Sequence, residues 1–130
     1  MPLRRFELSS RSLTALVGVH PQLQSVVKRA IHLTTMDFIV GEGLRTLETQ
    51  RKYVASGVSK TMKSRHLTGH AVDLWAYLVT IRWEPALYVP IADAMKAAAK
   101  IEGVTLQWGF DLWGWDSPHF QLPRKQYPAA

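Results

Sequence analysis

Apolar residues recur along the first third of the chain at helical spacing. Pro21 suits the first turn of a helix in which Leu23, Val26, Val27, Ala30 and Ile31 form one apolar face. A shorter helix precedes it around Leu13–Val17, with Ser10 or Ser12 as its cap. The run Asp37–Val40, ending in Gly41-Glu42-Gly43, predicts a buried strand entering a turn. Thr46 caps a helix through about Ser56, closed by Gly57. Residues 58–69 are polar and read as a loop. From Ala71 to Tyr77 the pattern alternates, which predicts a strand with one face on the core. Pro85 opens another region, and Ile91–Ile101 has alanine-rich helical spacing ending at Gly103. Val104–Trp108 and His119–Leu122 read as short strands joined by a Gly- and Trp-rich loop. The expected fold class is α+β, a small antiparallel sheet with N-terminal helices and a crossover helix, forming a single domain over 1–130.

Composition narrows the function classes. There are no cysteines among the 130 residues, which excludes thiolate metal sites and thiol catalysis. The segment Met1–Glu7 lacks the apolar stretch of a secretory signal, and no run approaches the ~20 apolar residues that span a bilayer. The expectation is therefore a chain held in the cytoplasm until released, without stable membrane insertion. Lys and Arg number 16 against 10 Asp and Glu, a net charge of +6, which favours anionic partners. The basic residues are scattered rather than clustered with aromatics, which argues against nucleic acid.

The chemistry concentrates in Ser64-Arg65-His66-Leu67-Thr68-Gly69-His70-Ala71-Val72-Asp73, read with Asp116-Ser117-Pro118-His119. Hydrolytic zinc is typically held by three N/O ligands with a fourth position for water. His66, Asp73 and His119 meet that count and leave Asp116 free to take a proton. Asp73 stands amid Ala71, Val72, Leu74 and Trp75, where a carboxylate has to be paired, protonated or bound to a cation. Alternation also allows it a wet face, and a lone histidine is more often solvated or packed than ligating. Spacing alone leaves these readings open.

The stretch resembles the Ser-x-His-x-x-Gly-x-Ala-x-Asp signature of the zinc D-alanyl-D-alanine carboxypeptidases, dipeptidases and phage L-alanyl-D-glutamate peptidases. Ser64, His66, Gly69, Ala71 and Asp73 fill all five positions. Asp116-Ser117-Pro118-His119-Phe120 is similar to the family's second motif, and Gly43-Leu44-Arg45-Thr46 followed by Gln50 to its arginine segment, with Leu44 replacing a tyrosine. The Trp108–Trp115 segment departs from the tighter Gly-Gly-Asp-Trp of relatives.

The resemblance implies a hedgehog/D-Ala-D-Ala-peptidase-like fold and one Zn2+ held by His66, Asp73 and His119. It implies Asp116 as general base and Arg45 as a substrate carboxylate clamp or oxyanion stabiliser; a surface salt bridge is the alternative for Arg45. Ser64 either binds the substrate backbone or orders its loop. Trp113 and Trp115 are the pocket candidates among the five tryptophans. His70 is structural. The implied function is hydrolysis of peptidoglycan stem peptides at L-Ala–D-Glu, as a bacteriophage endolysin in host lysis. The enzyme would be a monomer that reaches the periplasmic cell wall through a separate holin. A D-Ala-D-Ala carboxypeptidase or dipeptidase shares the same site. From other classes, a two-His-one-carboxylate Fe(II) oxygenase or a basic nucleic-acid-binding module remain as alternatives.

Overall fold

The computed structural model describes residues 5–59 and 61–129; Met1–Arg4 of the basic N-terminal segment lies outside the described residues. Its elements are α1 (Ser10–Ala15), α2 (Pro21–Leu33), β1 (Phe38–Glu42), α3 (Leu47–Ser56), β2 (Ala71–Leu78), β3 (Thr80–Arg82), α4 (Tyr88–Glu102), β4 (Gln107–Trp108), α5 (Gly109–Trp113) and β5 (His119–Gln121). All strand pairs are antiparallel, in the order β1-β2-β5-β4 with β3 also on β2. The expected α+β class and small antiparallel sheet are what the structure has, with α4 crossing from β3 to β4.

The apolar face of α2 is buried in full: Leu23, Val26, Val27 and Ala30 are completely covered and Ile31 nearly so. It packs in one core with Ile91, Met95 and Ala98 of α4 and with Val40, Val72, Leu74 and Phe120 of the sheet. Each large aliphatic buried this way stabilises the fold by about 1.5–3 kcal/mol relative to exposure. The Tyr88 hydroxyl, also buried, donates to the Arg82 carbonyl at 2.6 Å and accepts the Ala76 N–H at 3.2 Å, fastening the crossover to the sheet.

Several boundaries differ from those the pattern predicts. The first helix begins at Ser10 because Ser9, not Ser10 or Ser12, accepts the Ser12 N–H as cap. Ser12 is buried, and its hydroxyl accepts the Val40 N–H at 2.9 Å, joining α1 to β1. The strand expected over Asp37–Val40 continues through Gly41 and Glu42, with a register shift between Val40 and Glu42. Gly41 is required there, since a Cβ would lie 2.0 Å from the Trp75 indole. The helix expected from Ile91 starts at Tyr88, with Pro90 in its first turn where no N–H is needed. The expected strands Val104–Trp108 and His119–Leu122 shorten to β4 and β5, and their connecting loop contains α5. The loop 58–69 includes a 3-10 turn, Arg65–Thr68. No strand was expected at Thr80–Arg82.

The register of β2 sets up the site. Asp73 stands opposite Glu42 of β1 on one edge and His119 of β5 on the other. No helix among the described residues is long and apolar enough to cross a membrane.

Candidate metal centre and active site

The 3-10 turn delivers His66 to the end of β2. Ser64 caps it by accepting the His66 N–H at 3.2 Å, and Gly69 ends it in the left-handed region (φ 76). A Cβ on Gly69 would lie 2.4 Å from the Gly18 carbonyl oxygen, so glycine is needed on both counts. The strand register then places His119 beside Asp73. One ligand atom from each of His66, Asp73 and His119 lies within 4.8 Å of the others.

The ring nitrogens have distinct partners. His66 Nδ1 lies 2.9 Å from the Gly43 carbonyl, which only accepts, so that nitrogen carries the proton and Nε2 faces Asp73 Oδ1 at 3.2 Å. His119 Nε2 lies 2.8 Å from Gln121 Oε1, whose orientation is set by Gln121 Nε2 donating to Gln107 Oε1 at 3.0 Å. His119 therefore turns Nδ1 to Asp73 Oδ1 at 3.3 Å. Two imidazole nitrogens and a carboxylate converge, each histidine tied back through its other nitrogen, as divalent-metal ligands are. The donor set fits a zinc-type ion.

Electrostatics agree with that convergence. Burial pushes the Asp73 carboxyl up, but His66 and His119 beside it more than offset this and hold it well below the usual carboxylate range. Burial pulls the His119 imidazole down, while the Asp73 hydrogen bond and charge carry it above its ordinary value. Asp116 is raised, first by burial and then by the Asp73 charge, with His119, His66 and Arg45 opposing. A raised carboxylate next to three converging ligands is suited to taking and returning a proton.

Asp116 sits in the left-handed region at φ 62, which is uncommon outside glycine. Its loop is pinned by Trp108 Nε1 donating to the Ser117 carbonyl at 2.7 Å. Trp108 itself is buried and stacked on Phe120, rings 6.3 Å apart and 12° from parallel.

Arg45 is neither a surface residue nor a free fork. Its Nε and Nη2 donate to the two Glu42 oxygens at 2.5 and 2.8 Å, and its Nη1 to Gln50 Oε1 at 2.6 Å. Its Nη2 is 4.0 Å from Asp73 Oδ2, and its N–H donates to the His66 carbonyl at 2.9 Å. The salt bridge that stood as the alternative for Arg45 is thus present, with Glu42, and is partly buried rather than at the surface. Ser64 Oγ also lies 3.4 Å from Arg45 Nη1. Trp113 is 5.4 Å from the His119 ring and 6.3 Å from Trp115, both tryptophans about half exposed. His70 stands apart from the cluster, bonded to Thr68 Oγ1 at 2.7 Å and beside the His20 ring.

All eight residues singled out in the sequence, Arg45, Ser64, His66, Asp73, Trp113, Trp115, Asp116 and His119, line one cleft. Glu42 and Gln121 line it too and were not singled out. Gln121 was within reach of sequence reasoning, because two positions beyond His119 on a strand is the same face. Glu42 was hidden, because its pairing with Arg45 follows from the turn after β1 and from no periodic pattern.

Residues 4–127 match the family described as phage L-alanyl-D-glutamate peptidase. The chain belongs to this family. The L-alanyl-D-glutamate peptidase of Escherichia phage T5 is 31% identical over 130 residues, covering 96% of this chain and 95% of that protein. That of Listeria phage A118 is 35% identical over 94 residues, 71% of this chain but 32% of that protein. The crystal structure of the Serratia marcescens L-Ala D-Glu endopeptidase ChiX superposes with a TM-score of 0.90 at 41% identity, covering 97% and 96% of the two chains. Membership of this peptidase family is the placement the sequence motifs implied. It sets aside the oxygenase reading, and it falls on the L-Ala–D-Glu branch rather than the D-Ala-D-Ala branch.

Proposed function

We propose that this protein is a zinc peptidase that hydrolyses the L-Ala–D-Glu bond of peptidoglycan stem peptides in phage lysis of a host. The observation that carries the reading is the convergence of His66, Asp73 and His119 within 4.8 Å in a cleft that also presents Asp116.

His66 Nε2, His119 Nδ1 and the Asp73 carboxylate would hold the metal. When bound, zinc supplies an acidified water and polarises the scissile carbonyl. Asp116 removes a proton from the attacking water and hands it to the departing D-Glu amine. Gly43 and Gln121 keep both imidazoles in the ligating tautomer. Arg45, with its fork filled by Glu42, holds Asp73 in place and adds positive charge behind the reacting carbonyl. Ser64 orders the ligand turn. Trp113 and Trp115 form the wall beside His119 against which substrate packs. The wall polymer is the partner, the enzyme acts as a monomeric single domain, and a separate holin gives it passage to the periplasm.

The test is mass spectrometry of purified peptidoglycan digested by the zinc-loaded protein, with Asp116→Ala as control. New L-Ala C-termini and D-Glu N-termini, absent from the control, are expected. Loss of terminal D-Ala alone would place the site in the carboxypeptidase branch instead.

A further inference from the structure

The cleft has two chemically different flanks. On the His119 side stand the half-exposed indoles of Trp113 and Trp115. The segment that leads into His66 brings Lys63 and Arg65 to the lining, where Arg124 joins them. Arg124 Nη2 donates to the Lys63 carbonyl, so two segments far apart in sequence bring their cations to one stretch of wall.

Arg65, in the same lining, is 3% exposed. Its Nε and Nη2 donate to the Leu122 carbonyl at 3.2 and 3.0 Å, and its Nη2 also to the Tyr127 carbonyl at 2.7 Å. Its Nη1 is buried with no hydrogen-bond partner among the described residues. Burial, and then the neighbouring Arg124, lower its pKa. Among the described residues no carboxylate pairs with Lys63, Arg65 or Arg124: of the three acids of the cleft, Glu42 is engaged with Arg45 and Asp73 with the histidines, and Asp116 makes no ion pair with any of these cations. A buried guanidinium against carbonyls only, backed by two further cations, is an unbalanced positive charge that an anion in the cleft would neutralise.

The proposed substrate is asymmetric in the same way. On the L-Ala side of the scissile bond the peptide joins the muramyl lactyl group through an amide and carries no charge. On the D-Glu side it carries the free α-carboxylate of D-Glu and the carboxylates of the residues that follow. Arg45, its fork closed by Glu42, is not free to take them.

We propose that Lys63 and Arg124, together with the buried charge of Arg65, form the subsite for the carboxylates on the leaving-group side of the bond. The peptide then lies across the site with its D-Glu side on the basic flank and its L-Ala and sugar side against Trp113 and Trp115. The reverse orientation would set carboxylates on indoles and a neutral sugar on three cations. This assignment rests on the peptidase reading above and fixes the direction of its substrate.

The test is steady-state kinetics of the zinc-loaded full chain on two substrates. One is N-acetylmuramyl-L-Ala-D-Glu-diamino acid-D-Ala, and the other is the same compound with the carboxyl groups beyond the scissile bond converted to amides. For the wild type, amidation raises KM about tenfold and leaves kcat within about twofold, as expected for two charge-assisted contacts at a half-open site. In Lys63→Gln and in Arg124→Gln the discrimination shrinks to about threefold, and in the double variant it vanishes. Lys63→Glu reverses the preference. The Lys63 side chain is exposed and makes no ion pair among the described residues, so its variants fold even if loss of the Arg124–Lys63 bond weakens the other. Undiminished discrimination in the Lys63 variants overturns the subsite alone. Failure of the wild type to cleave either substrate overturns the peptidase reading and the subsite with it.

Discussion

The His119 N–H donates to the Asp116 carbonyl at 3.2 Å, so the candidate metal ligand and the carboxylate proposed to transfer the proton are held on one tight turn. That turn exists because Asp116 accepts a left-handed backbone and its loop is tied down by Trp108. Asparagine tolerates the same backbone and has nearly the same shape but cannot shuttle a proton. Asp116→Asn should lower kcat by roughly 10²–10⁴ while zinc affinity stays within a few fold. Turnover close to wild type, with zinc bound, would remove Asp116 from the mechanism.

Gly109 supports the same turn from behind. A Cβ there would lie 2.4 Å from the Asp116 carbonyl oxygen and 3.1 Å from His119 Cβ, and the first of these is backbone that cannot swing aside. Gly109→Ala should therefore cost about 1–3 kcal/mol of stability through overpacking and at least about tenfold in kcat. Chemical denaturation and stem-peptide kinetics read both. An alanine variant with unchanged stability and rate would show that the turn yields freely.

Gln121 sets which nitrogen His119 offers. Methionine keeps the length and bulk of that side chain but gives His119 Nε2–H no comparable acceptor. Gln121→Met should weaken zinc binding about 10–100-fold, measured by competition with a chromophoric chelator. Affinity equal to wild type would mean that the strand alone fixes the imidazole.

The parts of this site that were legible in the sequence are those governed by period and by unusual company. The α2 face was readable because its five apolar positions follow the helical repeat. Asp73 stood out because a carboxylate among Ala71, Val72, Leu74 and Trp75 needs a partner. The strand β3 was not readable: it has only three residues, and the turn before it has Val79 where a glycine or asparagine would signal a hairpin. The helix α5 was hidden for a related reason, since it starts on a glycine and lasts five residues. The Glu42 partner of Arg45 was not readable, because Glu42 meets it through a turn. That pairing depends on where β1 ends, which is a matter of tertiary packing rather than local propensity.

His70 gives the protein an acid-sensitive element away from the His66–Asp73–His119 cluster. Its pKa is lowered by burial, and then by the charges of Arg65 and His20. A depressed folded-state pKa means that stability is fully present above the unfolded value of about 6.5. It is lost progressively as pH falls below that value toward the lower folded one. The difference in unfolding free energy between wild type and His70→Asn should thus change between pH 7.5 and pH 5, with the wild type losing more. Parallel pH profiles for the two proteins would show that His70 protonates as easily folded as unfolded.

Val79 carries strain that the fold does not require of a β-branched residue. It holds φ 67 in the single-residue connection between Leu78 and Thr80, and it is 90% exposed, so no packing offsets the cost. A left-handed L-residue costs roughly 1–2 kcal/mol, and branching at Cβ makes it worse, whereas glycine bears no such penalty. Glycine loses more chain entropy on folding, which returns about 0.5–1 kcal/mol of that gain. Val79→Gly should therefore stabilise the protein by up to about 1 kcal/mol, and Val79→Asn, which also tolerates the left-handed region, by a similar amount. Both should leave stem-peptide turnover unchanged, because the hairpin leaves β2 at the end remote from Asp73. Thermal unfolding of the three proteins decides the matter. A drop in Tm for both variants would mean that the Val79 side chain makes contacts in solution that outweigh its backbone strain.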